Sequence, residues 1–166
     1  MISNAAFLLN NANLTWSDIL WGLRRCLVDW PILVEIAGIR VAAGSDDLLV
    51  NDLARLGNEG VWKARQIVEQ LAMRDEKAKD KDVRGKWLFL ALLWSFETRR
   101  SIDDGLAKVE EIYADFDYPD EVRSFVRYMP ADAEYLSSVK TRDDALERLM
   151  VEWRNYLEAS RQRFGR

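Results

Sequence analysis

The run KWLFLALLWSFETRR, residues 86–100, decides the fold. From Trp87 to Trp94 it is apolar without interruption, so over two turns every side of a helix would be hydrophobic. Such a helix has no face to give to water and must be surrounded by others. A buried strand is the competing reading of a short apolar run, but leucine and alanine outnumber β-branched residues here. The same run falls far short of the ~20 apolar residues that span a bilayer. It is therefore expected to be the central helix of a helical core.

Outward from this run the pattern stays helical. After a short apolar lead, NLTWSDILWGLRRCLV (13–28) takes Thr15 or Ser17 as N-cap and places Trp16, Ile19, Leu20, Leu23 and Leu27 near one face. Trp30-Pro31 breaks that helix, because a residue before proline avoids helical backbone, and Pro31 suits the first position of the next one. That helix runs to Gly44, and SDDLLVNDLARLG (45–57) repeats the grammar, with Ser45 as cap and Gly57 as stop. NEGVWKARQIVEQLAMRDE (58–76) turns Val61, Ala64, Val68, Leu71 and Ala72 inward, and KAKDKD (77–82) reads as a solvated loop of alternating charge. Beyond the central run, SIDDGLAKVEEIYADF (101–116) and PDEVRSFVRYM (119–129) read as two shorter helices joined by Asp117 and Tyr118. TRDDALERLMVEWRNYLEASRQRF (141–164) closes the pattern, with Thr141 as cap and Leu149, Met150, Trp153, Tyr156 and Leu157 among its inner positions. The expected fold is all-α: a single compact domain over residues 1–166, about seven or eight helices around the central one.

Composition narrows the chemistry. At 166 residues, 49% hydrophobic and 31% charged, the chain has the balance of a soluble globular protein. Its one cysteine, Cys26, makes no intramolecular disulfide and is expected to be a packed thiol. Neither a signal-length apolar run nor a spanning segment stands in the sequence, so the expected compartment is the cytoplasm. Histidine is absent altogether. That removes the usual general base, the commonest metal ligand and every Ser-His or Cys-His nucleophile. No cofactor or metal is expected, and an enzyme would have to work through buried carboxylates. Glu35 and Glu97, each in an apolar run, are the candidates for that rival reading.

Charge is unevenly spread. The net −4 of the whole chain conceals a net −7 over residues 101–138, flanked by net +4 over 61–100 and +2 over 139–166. Asp103, Asp104, Asp120 and Glu121 stand at expected helix starts, where acids are stabilised by the dipole, and capping alone would explain them. Asp115 and Asp117 fall at a helix C-terminus, where the dipole disfavours them, beside Tyr113, Phe116 and Tyr118. Acids in an unfavourable place among aromatics suggest a surface kept for a cationic partner. The basic run Lys77, Lys79, Lys81, Arg84 and Lys86 is interleaved with acids, so neither nucleic acid nor a membrane is an expected partner.

Two stretches carry a family resemblance: LTWSDILWGLRRCLV (14–28) and VEEIYADFDYPDEVRSFVRYMP (109–130). Both resemble domain-of-unknown-function family 2247, an uncharacterised bacterial family, over nearly the whole chain. The resemblance implies an immunity protein of a contact-dependent or polymorphic toxin system, a small cytoplasmic protein that binds and blocks a cognate toxin domain. It carries over no catalytic residue. A nuclease toxin is basic where phosphates bind, and an acidic surface could occupy that place. The expected partner-binding residues are Asp103, Asp104, Tyr113, Asp115, Asp117, Tyr118, Asp120 and Glu121. A regulatory adaptor for an endogenous protein is the alternative that differs only in its partner.

The central-helix reading has a direct test. Leu90→Asp places an unpaired charge in a dry core, which costs several kcal/mol, and is expected to unfold the protein. Native circular dichroism and an unchanged melting temperature in that variant would show that residues 86–98 are not the centre.

Overall fold

The structure, a computed structural model, describes residues 1–57, 60–75, 80–127 and 141–165. Among these lie eight α-helices, one 3-10 helix and no strand: α1 (Ala5–Asn11), α2 (Trp16–Arg24), α3 (Trp30–Ala42), α4 (Leu48–Ala54), α5 (Val61–Ala72), α6 (Asp80–Thr98), α7 (Ile102–Asp115), the 3-10 helix Asp120–Phe125, and α8 (Arg142–Phe164). The fold is all-α, as the pattern requires.

Local chemistry sets the boundaries. The apolar lead is itself a helix, because the Asn4 side chain caps it by accepting from the Phe7 amide at 2.8 Å. At α2 the choice between caps falls to Thr15, in a reciprocal box with Asp18: the Asp18 amide donates to Thr15 Oγ1 and the Thr15 amide to Asp18 Oδ2. The cap of α4 is Asp47 rather than Ser45. Asp80–Asp82 belong to α6 instead of a loop; residues 76–79 of the expected loop lie outside the described residues. The expected helix 119–129 is a short 3-10 turn over Asp120–Phe125, and its end, from Tyr128, lies outside the described residues. On α5 the inner stripe is Ala64, Ile67, Val68 and Leu71, while Val61 is exposed.

Two compact units organise the chain, Met1–Leu90 with the residues from Phe164, and Ala91–Arg163, so the division falls inside α6. Every side chain of α6 from Trp87 to Leu93 is buried, and Trp94 is half-buried. In the first unit α3 packs on α1, α4 and α5, and α2 packs on α5. The decisive junction there is between α2 and α6. Asp18 is fully buried, and Lys86 Nζ meets its Oδ2 at 2.7 Å. One residue on, the Trp87 indole donates to the Asp18 carbonyl at 2.7 Å, and its ring lies flat against Gly22, where a Cβ would come within 2.2 Å of it. Phe164 closes the same unit, its ring over Gly85, where a Cβ would meet it at 2.7 Å, and 6.4 Å from Phe89.

Arg40 fastens the start of α2. It donates to the Leu14 carbonyl at 2.6 Å and lies 4.2 Å over the Trp16 ring. Burial pulls its guanidinium below the ordinary value, with Asp75 opposing.

The second unit is built around Trp153 of α8, fully buried, stacked on Phe125 at 6.3 Å and edge-on to Phe96 at 5.0 Å. Tyr156, one turn on, packs against Phe125 at 5.5 Å. Burial pushes its hydroxyl up to about 12, with Glu121 in the same direction and Ser160 and Arg163 opposing.

Two outcomes follow from these cores. Gly22→Ala is expected to cost ~1–3 kcal/mol through overpacking against Trp87. In a double-mutant cycle with Trp87→Leu the losses should be strongly non-additive, and additivity within ~0.5 kcal/mol would break the proposed contact. For Tyr156, below pH 10 both states hold the proton and nothing changes. Between pH 10 and 12 the unfolded tyrosine ionises first, so stability falls as pH rises. Urea unfolding should show a loss of roughly 2 kcal/mol across that window that is absent in Tyr156→Phe.

Candidate protein-binding surface

The end of α7 is built by a specific termination. The Tyr118 amide donates to the Tyr113 carbonyl at 2.8 Å and the Asp117 amide to the Ala114 carbonyl at 3.1 Å, the paired bonds of a Schellman end. Asp117 takes the position where glycine is usual, with φ 54°, and Tyr118 follows at φ 57°. Aspartate tolerates this left-handed conformation; a tyrosine there is uncommon. The motif's customary apolar contact is present as well: the two tyrosine rings meet edge to face at 5.2 Å. Pro119, buried and at φ −64°, then starts the 3-10 helix.

This turn separates the eight residues expected at the site. Asp115, Asp117, Asp120 and Glu121 are exposed, and Tyr118 stands 64% exposed among them. Among the described residues no ion pair engages Asp115, Asp120 or Glu121, and Arg123 is the exposed cation on the same 3-10 turn. Tyr113 does not join them. It is buried, 6% exposed, because it falls on the inner stripe of α7 with Leu106, Val109 and Phe116, and it acts as the brace under Tyr118.

Asp103 and Asp104 are exposed too, but they have structural partners. Asp104 serves the start of α7, its amide donating to the Ser101 cap Oγ at 3.1 Å and its carboxylate accepting from the Arg100 amide at 3.2 Å. Asp103 lies 3.4 Å from Arg127 and 3.5 Å from Arg142. Arg127 in turn forks onto Glu110 through Nε and Nη2 at 2.5 and 3.1 Å. Capping and pairing account for these two acids, whereas Asp115, Asp120 and Glu121 are exposed and in no ion pair among the described residues.

Other candidates change character. Glu35 and Glu97 are both exposed, so they are not the two inward-facing acids that the rival reading needs. Cys26 is not packed: it is exposed, at φ 57°, in the Schellman end of α2. Of the basic run, Lys86 is the half-buried counterion of Asp18, and Lys77 and Lys79 lie outside the described residues. Among the described residues no helix is long and apolar enough to cross a membrane, and no three acids or thiols cluster as metal ligands.

The model of domain-of-unknown-function family 2247, described as an uncharacterized protein conserved in bacteria, matches residues 5–161. No curated protein and no solved structure matches the chain.

Proposed function

This chain belongs to domain-of-unknown-function family 2247, and on that footing we propose that it is an immunity protein, cytoplasmic and non-enzymatic, that neutralises a cognate bacterial toxin domain by direct contact. The observation that carries the reading is the ledge Asp115–Glu121. Four exposed carboxylates surround one exposed aromatic on a turn held by backbone hydrogen bonds, a buried proline and a buried tyrosine. A preformed surface loses little entropy on binding, and its charge speeds capture of a cationic partner. A basic toxin face, such as the phosphate-binding surface of a nuclease, has the matching sign.

The local strain supports the same reading. Holding Tyr118 in left-handed backbone costs on the order of 1 kcal/mol, and the ring that results points largely to solvent. The fold uses part of this ring against Tyr113, and the exposed remainder is free to meet a partner.

The test pairs growth protection with melting curves. Asp115→Lys with Asp120→Lys avoids the left-handed positions, so stability should stay within ~0.5 kcal/mol. Association with the toxin encoded beside this chain should slow on the order of tenfold at low salt, and less at high salt. Tyr118→Gly relieves the strain while deleting the ring, and should lose protection with little change in melting temperature. Full protection by both variants would remove the ledge from the interface. A chain that protects against no toxin from its own gene neighbourhood would defeat the immunity reading itself.

A further inference from the structure

A second surface lies in the first unit, between α2 and α5. Ser17, Leu20, Trp21 and Arg24 line it from α2 at the spacing i, i+3, i+4, i+7, and Glu69, Ala72 and Met73 line it from α5, enclosing about 410 Å³. The helices are fixed to each other at one end, since Ser17 Oγ donates to the Ala72 carbonyl at 3.0 Å and the Ser17 amide to Asp75 Oδ2 at 2.7 Å. The groove is therefore pinned at its Ser17 end.

Its apolar groups have no reason to face water for the sake of the fold. The buried stripe of α5 is Ala64, Ile67, Val68 and Leu71. Opposite it run Trp62, Arg65, Glu69 and Met73, one face over three turns, with Trp62 72% and Met73 83% exposed. Trp21 is half-buried across the groove, with the Arg25 guanidinium 4.4 Å over its ring. Tryptophan, methionine and arginine are the residues enriched at interface centres.

Charge and shape then choose the occupant. Arg24, Arg25 and Arg65 border the groove, and Glu69, the one acid lining it among the described residues, is already engaged by Arg24 at 3.7 Å and Arg65 at 3.3 Å. With Asp75 at the Ser17 end counted, these groups still leave a positive excess, and Glu69 holds Arg24 and Arg65 at the rim. A symmetric pair of copies would bring these arginines face to face, which like-charge repulsion opposes. From Trp62 to Met73 the stripe spans roughly 16 Å, the length of a three-turn helix. We propose that the α2–α5 groove binds an acidic amphipathic helix of a partner protein, its apolar side on Trp21 and Met73 and its carboxylates on Arg24, Arg25 and Arg65. The site is independent of the acidic ledge and of opposite charge.

The probe is a labelled helical peptide of about fourteen residues, with leucines along one face and glutamates flanking them, titrated against the full chain by fluorescence anisotropy. A twin carries lysine in place of every glutamate. The glutamate peptide should bind saturably and the lysine twin should not. Arg24→Glu with Arg65→Glu, and separately Met73→Glu, should weaken binding at least tenfold while circular dichroism and melting temperature hold. Asp115→Lys with Asp120→Lys should leave peptide binding unchanged, which separates this site from the ledge. Equal binding of the two peptides, no binding of either, or indifference to the groove variants would overturn the proposal. A concentration-dependent dimer abolished by Met73→Glu would overturn it in favour of a second copy.

Discussion

The junction of Asp18 with Lys86 and Trp87 is the constraint on which the first unit turns. One aspartate ends a helix cap, neutralises a half-buried ammonium and offers its own carbonyl to a buried indole. Its Oδ1, also buried, has no hydrogen-bond partner among the described residues. A buried ion pair is weak support for stability as such, because desolvation offsets most of the attraction. Its stronger effect is on uniqueness. Asp18 and Gly22 lie one turn apart on α2, and the consecutive pair Lys86–Trp87 fits them in only one rotation of the helix. A turn of 100° about the α2 axis would leave the carboxylate uncompensated and drive the indole into side-chain atoms. With that rotation fixed, Ser17 reaches α5, and Trp21 and Arg24 are left on the groove side.

Much of the architecture was legible because it rests on periodicity. The all-round apolar run 87–94 announced a buried helix, and α6 is buried from Trp87 to Leu93. Polar burial left no such trace. Asp18 in a first helical turn looks like an ordinary cap, and Lys86 looks like one member of a mixed charge run; only a contact across 68 positions reveals them as partners. The end of α2 was missed for a related reason. Reading glycine as the stop signal finds Gly44, at φ 98°, but not Cys26, which holds the same Schellman geometry without it. The end of α7 was found although Asp117 also stands where glycine is usual. At the ledge the acids were readable from their clash with the dipole. The burial of Tyr113 was readable too, since 106, 109, 113 and 116 form a single helical stripe, but its place beside charged residues drew attention to chemistry instead of packing.

The two surfaces follow opposite designs. The ledge displays carboxylates on a turn whose stiffness comes from backbone bonds and an edge-to-face pair of rings. The groove displays Arg24 and Arg65 on regular helix, held by one shared glutamate. A net charge of −4 averages over both, so the overall figure describes neither surface. Local field is what an approaching partner meets within the ~8–10 Å over which salt leaves it unscreened.

The place of Phe164 bears on how the chain is made. Its ring fills the space over Gly85 and meets Phe89, yet it is synthesised 79 residues after that glycine. At ribosomal speeds of ~5–20 residues per second, the first ninety residues wait several seconds for that ring. Until that ring arrives the space over Gly85 is unfilled, and filling it is a long-range contact rather than a local one. Apolar surface that waits for a distant partner in the sequence is the kind that favours misassociation of a nascent chain.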